Sequence, residues 1–147
     1  MKSVHRATFA AVILGAFATQ SLAGTTVKVV ESGEGGGAMS ISVDKTHIPA
    51  GDVLFLVSNS AMTEAHEMIL VKLKSADQKI PLIASKHRVD EAKLKTLGEV
   101  ADLQPAANGE LKAKLAPGDY LLLCNIKGHY EAGMATRLKV TANTASN

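Results

Sequence analysis

Apolar and polar residues alternate in short runs from Gly24 onward, with the period of two that half-buried β-strands show. Gly and Pro separate these runs at points where the backbone must reverse, as in Pro117-Gly118-Asp119. Several short strands with turn signals between them favour a sandwich or a barrel. The predicted strands are residues 25–31, 39–43, 53–58, 67–74, 110–115, 120–124 and 135–141.

One segment breaks the strand pattern. In residues 89–100, Leu94 and Leu97 lie three positions apart among charged residues, and Gly98 comes near the end. This spacing predicts a short amphipathic helix. The helix would lie in a long connection, residues 75–109, whose apolar residues near Leu82 could form one more short strand.

The N-terminus has the pattern of an export signal. Lys2, His5 and Arg6 precede an apolar run at residues 7–18, and Ser21-Leu22-Ala23 follows with small residues at its first and third positions. The run is shorter than the roughly 20 residues that cross a bilayer as a helix. We therefore predict a signal peptide at residues 1–23, cleaved to leave one periplasmic domain, residues 24–147, without a membrane span.

Charge argues against nucleic acid or an anionic membrane as a partner. The full sequence has 16 basic and 14 acidic side chains, and loss of Lys2 and Arg6 with the signal would leave 14 of each. A domain with no net charge gives no indication of such partners. We expect a monomer.

Cys124 is the single cysteine of the sequence. An internal disulfide is therefore excluded, although the predicted compartment is oxidising. An accessible thiol would be oxidised there. Cys124 is expected to be either a buried, inert side chain or a metal ligand.

Three donor side chains follow one another at intervals of five between two predicted strands: Cys124, His129 and Met134. A thiolate, a thioether and imidazole nitrogen are ligands that suit copper, and two His, one Cys and a weak axial Met form an electron-transfer copper site. His66 is the best candidate for the second histidine, because it lies just before the predicted strand 67–74. In a sandwich, the loop after the predicted strand 53–58 can lie at the same end as the loop that contains Cys124 and His129. Gly128 and Gly133 each precede a candidate ligand and permit tight turns.

These motifs resemble the cupredoxins, the group that includes azurin, plastocyanin, auracyanin and rusticyanin. The resemblance rests on the 48–52 segment Ile-Pro-Ala-Gly-Asp, Asn59 followed by His66-Glu67, the 115–120 segment Leu-Ala-Pro-Gly-Asp-Tyr, and the 124–134 loop. It implies a Greek-key β-sandwich and one copper ion, Cu(I) or Cu(II). The family order assigns His66, Cys124 and His129 as equatorial ligands and Met134 as the axial one. The sequence departs from azurin and plastocyanin at Glu67, where those proteins have an Asn that helps to lock the site.

The resemblance leaves two functions open. The first is transfer of single electrons between redox partner proteins. The alternative is copper tolerance, in which the protein sequesters copper or delivers it to other copper-handling proteins, a role linked to some periplasmic cupredoxins. We do not expect an enzyme, because a copper oxidase or nitrite reductase needs a further metal centre and the sequence has no His-x-His pair. A metal-free adhesion domain would remain if Cys124 bound no metal.

Overall fold

Two β-sheets pack face to face in the computed structural model, which describes residues 24–143. The predicted signal peptide, residues 1–23, lies outside the described residues. One sheet has the strand order β2-β1-β4-β9 and the other β3-β11-β10-β5-β8, while β6 and β7 form a separate pair. The strands are β1 (Thr25–Ser32), β2 (Ser40–Val43), β3 (His47–Pro49), β4 (Gly51–Asn59), β5 (His66–Lys72), β6 (Leu82–Ile83), β7 (Arg88–Val89), β8 (Lys95–Leu103), β9 (Asn108–Leu115), β10 (Gly118–Leu123) and β11 (Ala135–Thr141).

The main core lies between the two sheets. Alternate residues of β1 and β4 point inward, as in Val27, Val29 and Phe55, and they meet Met68 and Leu122 from the opposite sheet. The Tyr120 hydroxyl donates to the carbonyl of Ala116 at 2.7 Å and closes the turn before β10. Few aromatic residues are needed, because aliphatic side chains from both inner faces interlock across the sandwich.

A second apolar cluster covers the outer face of β5 and β10. Ile69 and Val71 on β5 and Leu121 and Leu123 on β10 pack there with Val89 from the long connection. This explains the unbroken buried run of residues 68–71, since a strand covered on both faces loses its apolar–polar alternation. The connection is therefore part of the folded domain and lies directly over β5, which begins at His66, and β10, which ends just before Cys124.

The sequence prediction of an all-β sandwich is confirmed, but the helix predicted over residues 89–100 is wrong. The long connection contains two single-turn 3₁₀ helices, Ala84–Lys86 and Glu91–Lys93, and residues 95–103 form β8. β8 pairs antiparallel with β5 and is bulged near Gly98. Pairing with the free edge of β5 overrides a weak local pattern of two leucines, because ladder hydrogen bonds and burial of Val100 and Leu103 outweigh helix propensity.

Within residues 24–143, helices are limited to single turns, and none has the length and apolar character required to cross a bilayer.

Candidate metal centre

Residues 124–134, the ligand loop, connect β10 to β11 at one end of the sandwich. Its ends are fixed by the antiparallel pairing of Leu123 with Ala135 and by a 3.1 Å hydrogen bond from the Cys124 amide to the Met134 carbonyl. Met134 in turn donates its amide to the His129 carbonyl at 3.1 Å. The backbone thus sets the positions of three candidate ligands, without any contribution from a metal.

Gly133 is required for this loop to close. Its φ is +113°, and a Cβ there would lie 2.7 Å from the Met39 carbonyl oxygen. Met39 also donates its amide to the Ala132 carbonyl at 3.0 Å, which ties the loop to the start of β2. Any larger residue at Gly133 would both strain the backbone and displace this contact.

The structure brings His66, Cys124 and His129 together. One donor atom from each lies within 4.8 Å of the other two, and all three side chains are buried. The Cys124 Sγ is 3.4 Å from His129 Nδ1, and the two Nδ1 atoms of His66 and His129 are 3.3 Å apart. Three donors that converge on one point in this way can accept a single metal ion. Their roles as ligands stay a prediction.

The orientation of His66 is set by the loop after β1. His66 Nε2 lies 3.2 Å from the Gly33 carbonyl oxygen. A carbonyl can only accept, so Nε2 carries the proton and Nδ1 presents its lone pair towards Cys124 and His129. Gly33 therefore selects the tautomer of His66 that can bind a metal.

Burial disfavours charge on the donors in the absence of a metal. It raises the pKa of the Cys124 thiol to about 12, with a smaller contribution from the negative charges of Glu67 and Glu31. Burial also lowers the pKa of His129, and the proximity of His66 adds to this effect. A soft metal cation supplies the positive charge needed to ionise the thiol, and one imidazole–thiolate–imidazole set fits a single copper ion.

Met134 is fully buried and belongs to the same core cluster as Cys124. Its backbone contact with Cys124 places it at the base of the ligand loop. The Met134 side chain thus lies in the buried core that also contains Cys124. The sequence predicts it as a weak axial ligand.

Asn125 is a functional residue that sequence reasoning missed. Its side chain is buried and holds Val89 of the long connection: Oδ1 accepts from the Val89 amide at 2.6 Å, and Nδ2 donates to the Val89 carbonyl at 3.1 Å. Nδ2 also donates to Glu91 Oε1 at 2.6 Å. We call these three hydrogen bonds the Asn125 network. They fix the residue after Cys124, and the only sequence signal was a polar residue next to a strand end.

Glu67 has a defined place beside this network. Its Oε1 accepts a 3.0 Å hydrogen bond from the Asn125 amide. The residue that stands where azurin and plastocyanin have Asn therefore still connects the first histidine segment to the ligand loop. Burial raises the pKa of Glu67, and the nearby charges of Glu91 and Glu99 raise it further, whereas the hydrogen bond from Asn125 lowers it.

The other histidines of the described chain lie outside the cluster. His47 is exposed on β3. His87 is also exposed, and its Nδ1 lies 2.9 Å from Glu131 Oε2 in the ligand loop. Of the two methionines near His66, Met68 is buried in the core and Met62 is exposed.

Comparison with known proteins supports the resemblance to cupredoxins. Residues 20–147 match the family model described as the sulfocyanin (SoxE) domain. No curated protein sequence matches the chain significantly. The fold is similar to that of auracyanin from Roseiflexus castenholzii, with a TM-score of 0.56 and 21% identity over 81% of this chain and 98% of that one.

Two further structures have the same fold. Auracyanin A from Chloroflexus aurantiacus, described as a "blue" copper protein, has a TM-score of 0.54 and 22% identity over 81% of this chain and all of that chain (100%). Reduced rusticyanin has a TM-score of 0.55 and 20% identity over 81% of each chain. At these identities the structural similarity shows the fold alone, whereas the family match extends over both parts of the His–Cys–His cluster.

Proposed function

Because the chain belongs to the sulfocyanin family, we propose that it carries single electrons through one type 1 copper ion held by His66, Cys124 and His129, with Met134 as a weak axial ligand. The observation that carries this proposal is the buried convergence of the His66 and His129 Nδ1 atoms with the Cys124 sulfur. Bound copper would supply the one-electron couple, Cu(II) to Cu(I).

The protein contributes a fixed set of donors. The ligand loop is held by backbone hydrogen bonds at both ends, and Gly33 and Asn125 hold the neighbouring segments. Donors held in place in this way need to move little when the copper charge changes, and this favours rapid electron transfer. Burial of Cys124 protects the thiolate from oxidation.

Electron transfer agrees better with the burial of the donors than copper delivery does. His66, Cys124 and Met134 have none of their surface exposed, and His129 has 7%. A delivery protein must pass its ion to a ligand of another protein, which requires accessible donors. His129 is the least buried of the four, so we propose that electrons enter and leave there by contact with redox partner proteins.

We further propose that the protein acts in the periplasm, after cleavage of residues 1–23, and that it is not an enzyme. The N-terminal charge and hydrophobic pattern supports export. Membership of the cupredoxins, which are generally electron-transfer proteins and not enzymes, supports the absence of catalysis.

The test is titration of the mature domain with Cu(II), followed by visible and electron paramagnetic resonance spectra, beside a Cys124→Ser variant. We expect an intense thiolate-to-copper absorption that saturates at one equivalent and is lost in the variant. A Ser60→Ala variant, which changes a hydroxyl outside the cluster, is the control and should keep the band. Absence of the band from the wild type, or its survival in Cys124→Ser, would refute the proposal.

Copper delivery is tested separately. The copper-loaded protein is mixed with a copper chelator, and loss of the absorption is followed with time. We expect the ion to be retained through many cycles of chemical reduction and reoxidation. Rapid loss to the chelator in either redox state would favour delivery instead.

A further inference from the structure

Glu31 is a buried carboxyl group with no hydrogen-bond partner among the described residues. It continues the inward-facing series Val27, Val29, Glu31 on β1 and has none of its surface exposed. Neither Oε1 nor Oε2 has a partner. Folded proteins pair nearly all buried polar groups, so an unpaired acid in the core requires an explanation.

Burial favours the neutral form of this carboxyl group in the metal-free protein. Burial raises the pKa of Glu31 to about 8, and the negative charge of Glu67 contributes in the same direction. An ionised carboxylate in this position would lack both water and a hydrogen-bond donor. Protonation removes this cost, but it leaves a group whose charge responds to any change of charge nearby.

The strands beside Glu31 give it no counter-ion. In the register of β1, Glu31 lies opposite Ile41 on β2 and Asn59 on β4. The Asn59 side chain has no donor left for Glu31, because Nδ2 donates to two backbone carbonyls and Oδ1 accepts from the Ala61 amide. The Ser60 hydroxyl donates to the backbone carbonyl of Glu31 and not to its carboxyl group.

The titratable groups buried or half-buried at this end of the sandwich include the three members of the cluster, His66, Cys124 and His129, and also Glu34, Glu64, Glu67, Glu91 and Tyr130. Glu31 forms no hydrogen bond with any of them. Its charge nevertheless reaches the site, since a negative Glu31 raises the pKa of the Cys124 thiol. The interaction is reciprocal, so a change of charge at the sulfur also acts on Glu31.

The charge of the proposed copper centre changes by one unit in each redox cycle. A thiolate and two neutral imidazoles around Cu(I) have no net charge, as does the metal-free site with a protonated thiol. The same ligands around Cu(II) have a charge of +1. A positive charge nearby favours ionisation of a carboxyl group, and its loss favours protonation.

We propose that Glu31 is a proton-binding site coupled to the copper centre, releasing a proton when the copper is oxidised and taking one up when it is reduced. This inference rests on the proposed electron-transfer function. In the reductive step, one electron from the redox partner converts Cu(II) to Cu(I), and one proton from solvent converts the Glu31 carboxylate to the acid. No bond to copper is made or broken.

The first experiment is voltammetry of the copper-loaded protein between pH 5 and pH 9. We expect the potential of the wild type to fall with rising pH over part of this range. The slope approaches 59 mV per pH unit where one proton accompanies each electron. Glu31→Gln, which has nearly the same shape and cannot ionise, should lose most of the slope. Glu110→Gln, an exposed carboxyl on β9, is the matched control and should keep it.

The second experiment counts protons when the metal binds, by calorimetry at pH 7 in buffers of different ionisation enthalpy. Cu(II) should release nearly two protons from the wild type, one from Cys124 and one from Glu31. It should release about one from Glu31→Gln. Cu(I) should release about one from both proteins, since the neutral Cu(I) centre leaves Glu31 protonated.

If Glu31→Gln does not fold, infrared difference spectra of the wild type decide the question. Reduction should produce the carbonyl band of a buried carboxylic acid, shifted in D₂O. A missing band would overturn the proposal. A blue, reversible copper site with a pH-independent potential would also overturn the role of Glu31, but it would leave the proposed electron-transfer function intact. Absence of the blue band would overturn the electron-transfer function itself.

Discussion

Removal of the Asn125 side chain provides the sharpest test of how the site is held. In Asn125→Ala the three hydrogen bonds of the Asn125 network are lost, and both the amide and the carbonyl of Val89 are left without their side-chain partner. Val89 is 2% exposed, so water cannot readily replace the amide group. Glu91 is only half-buried and can be solvated instead.

The expected cost follows from those two backbone groups. Each buried polar group left unpaired costs about 1–3 kcal/mol. The free energy of unfolding should therefore fall by about 3 kcal/mol. In a domain of this size, such a fall lowers the melting temperature by about 12 °C.

The assay is thermal unfolding of the metal-free protein, followed by circular dichroism under reducing conditions so that the thiol stays intact. Asn108→Ala, which removes an exposed amide on β9, is the control and should change the free energy of unfolding by less than about 0.5 kcal/mol. A fall below 1 kcal/mol for Asn125→Ala would refute the view that this side chain holds the long connection against the ligand loop. If copper alone restores the stability of Asn125→Ala, this view is not refuted, because ligand binding stabilises any folded form.

Three further outcomes are expected. Because burial raises the folded-state pKa of Glu31, the stabilising effect of its protonation is complete below about pH 4.5 and disappears as the pH rises to about 8. Across that window, the free energy of unfolding measured in urea should fall by about 1.4 kcal/mol per pH unit more for the metal-free wild type than for Glu31→Gln. Parallel curves of this free energy against pH for the two proteins would contradict the prediction. Tyr120→Phe removes the bond to Ala116 and should cost about 1 kcal/mol in the same assay, whereas an unchanged midpoint would mean that the bond adds nothing. Gly133→Ala adds a Cβ at a position with positive φ, where it would clash with the Met39 carbonyl, and should weaken copper binding measured by competition with a chelator. Gly36→Ala is the control for backbone strain alone, because Gly36 has φ +83° and open space where the Cβ would lie.

The main architecture could be predicted from sequence because the strand pattern is local. Residues 135–141 were predicted as a strand and form β11 with those bounds. Cys124, His129 and Met134 lie in one loop, so their proximity followed from their spacing. His66 comes from a distant strand, and its position beside them could be predicted only through the expected sandwich, in which the loop before this strand can lie at the same end as the ligand loop.

Other features depend on contacts that the sequence pattern does not contain. The leucines at 94 and 97 fit a helical spacing, yet β8 forms because the edge of β5 is available for pairing. From the sequence, Asn125 is an ordinary polar loop residue, and its role becomes evident only from its hydrogen bonds to the Val89 backbone. Glu31 fits the inward positions of β1, but its unpaired oxygens become evident only when neither neighbouring strand supplies a donor.

The burial of the candidate ligands also has a kinetic consequence. With His66 and Cys124 fully enclosed, an ion in solution cannot reach these two donors until the ligand loop opens. Uptake should then rise with copper concentration only up to a plateau, where its rate equals the rate of opening. The plateau value would give the rate at which the ligand loop opens. Hydrogen exchange at the Cys124 amide would measure the same motion independently.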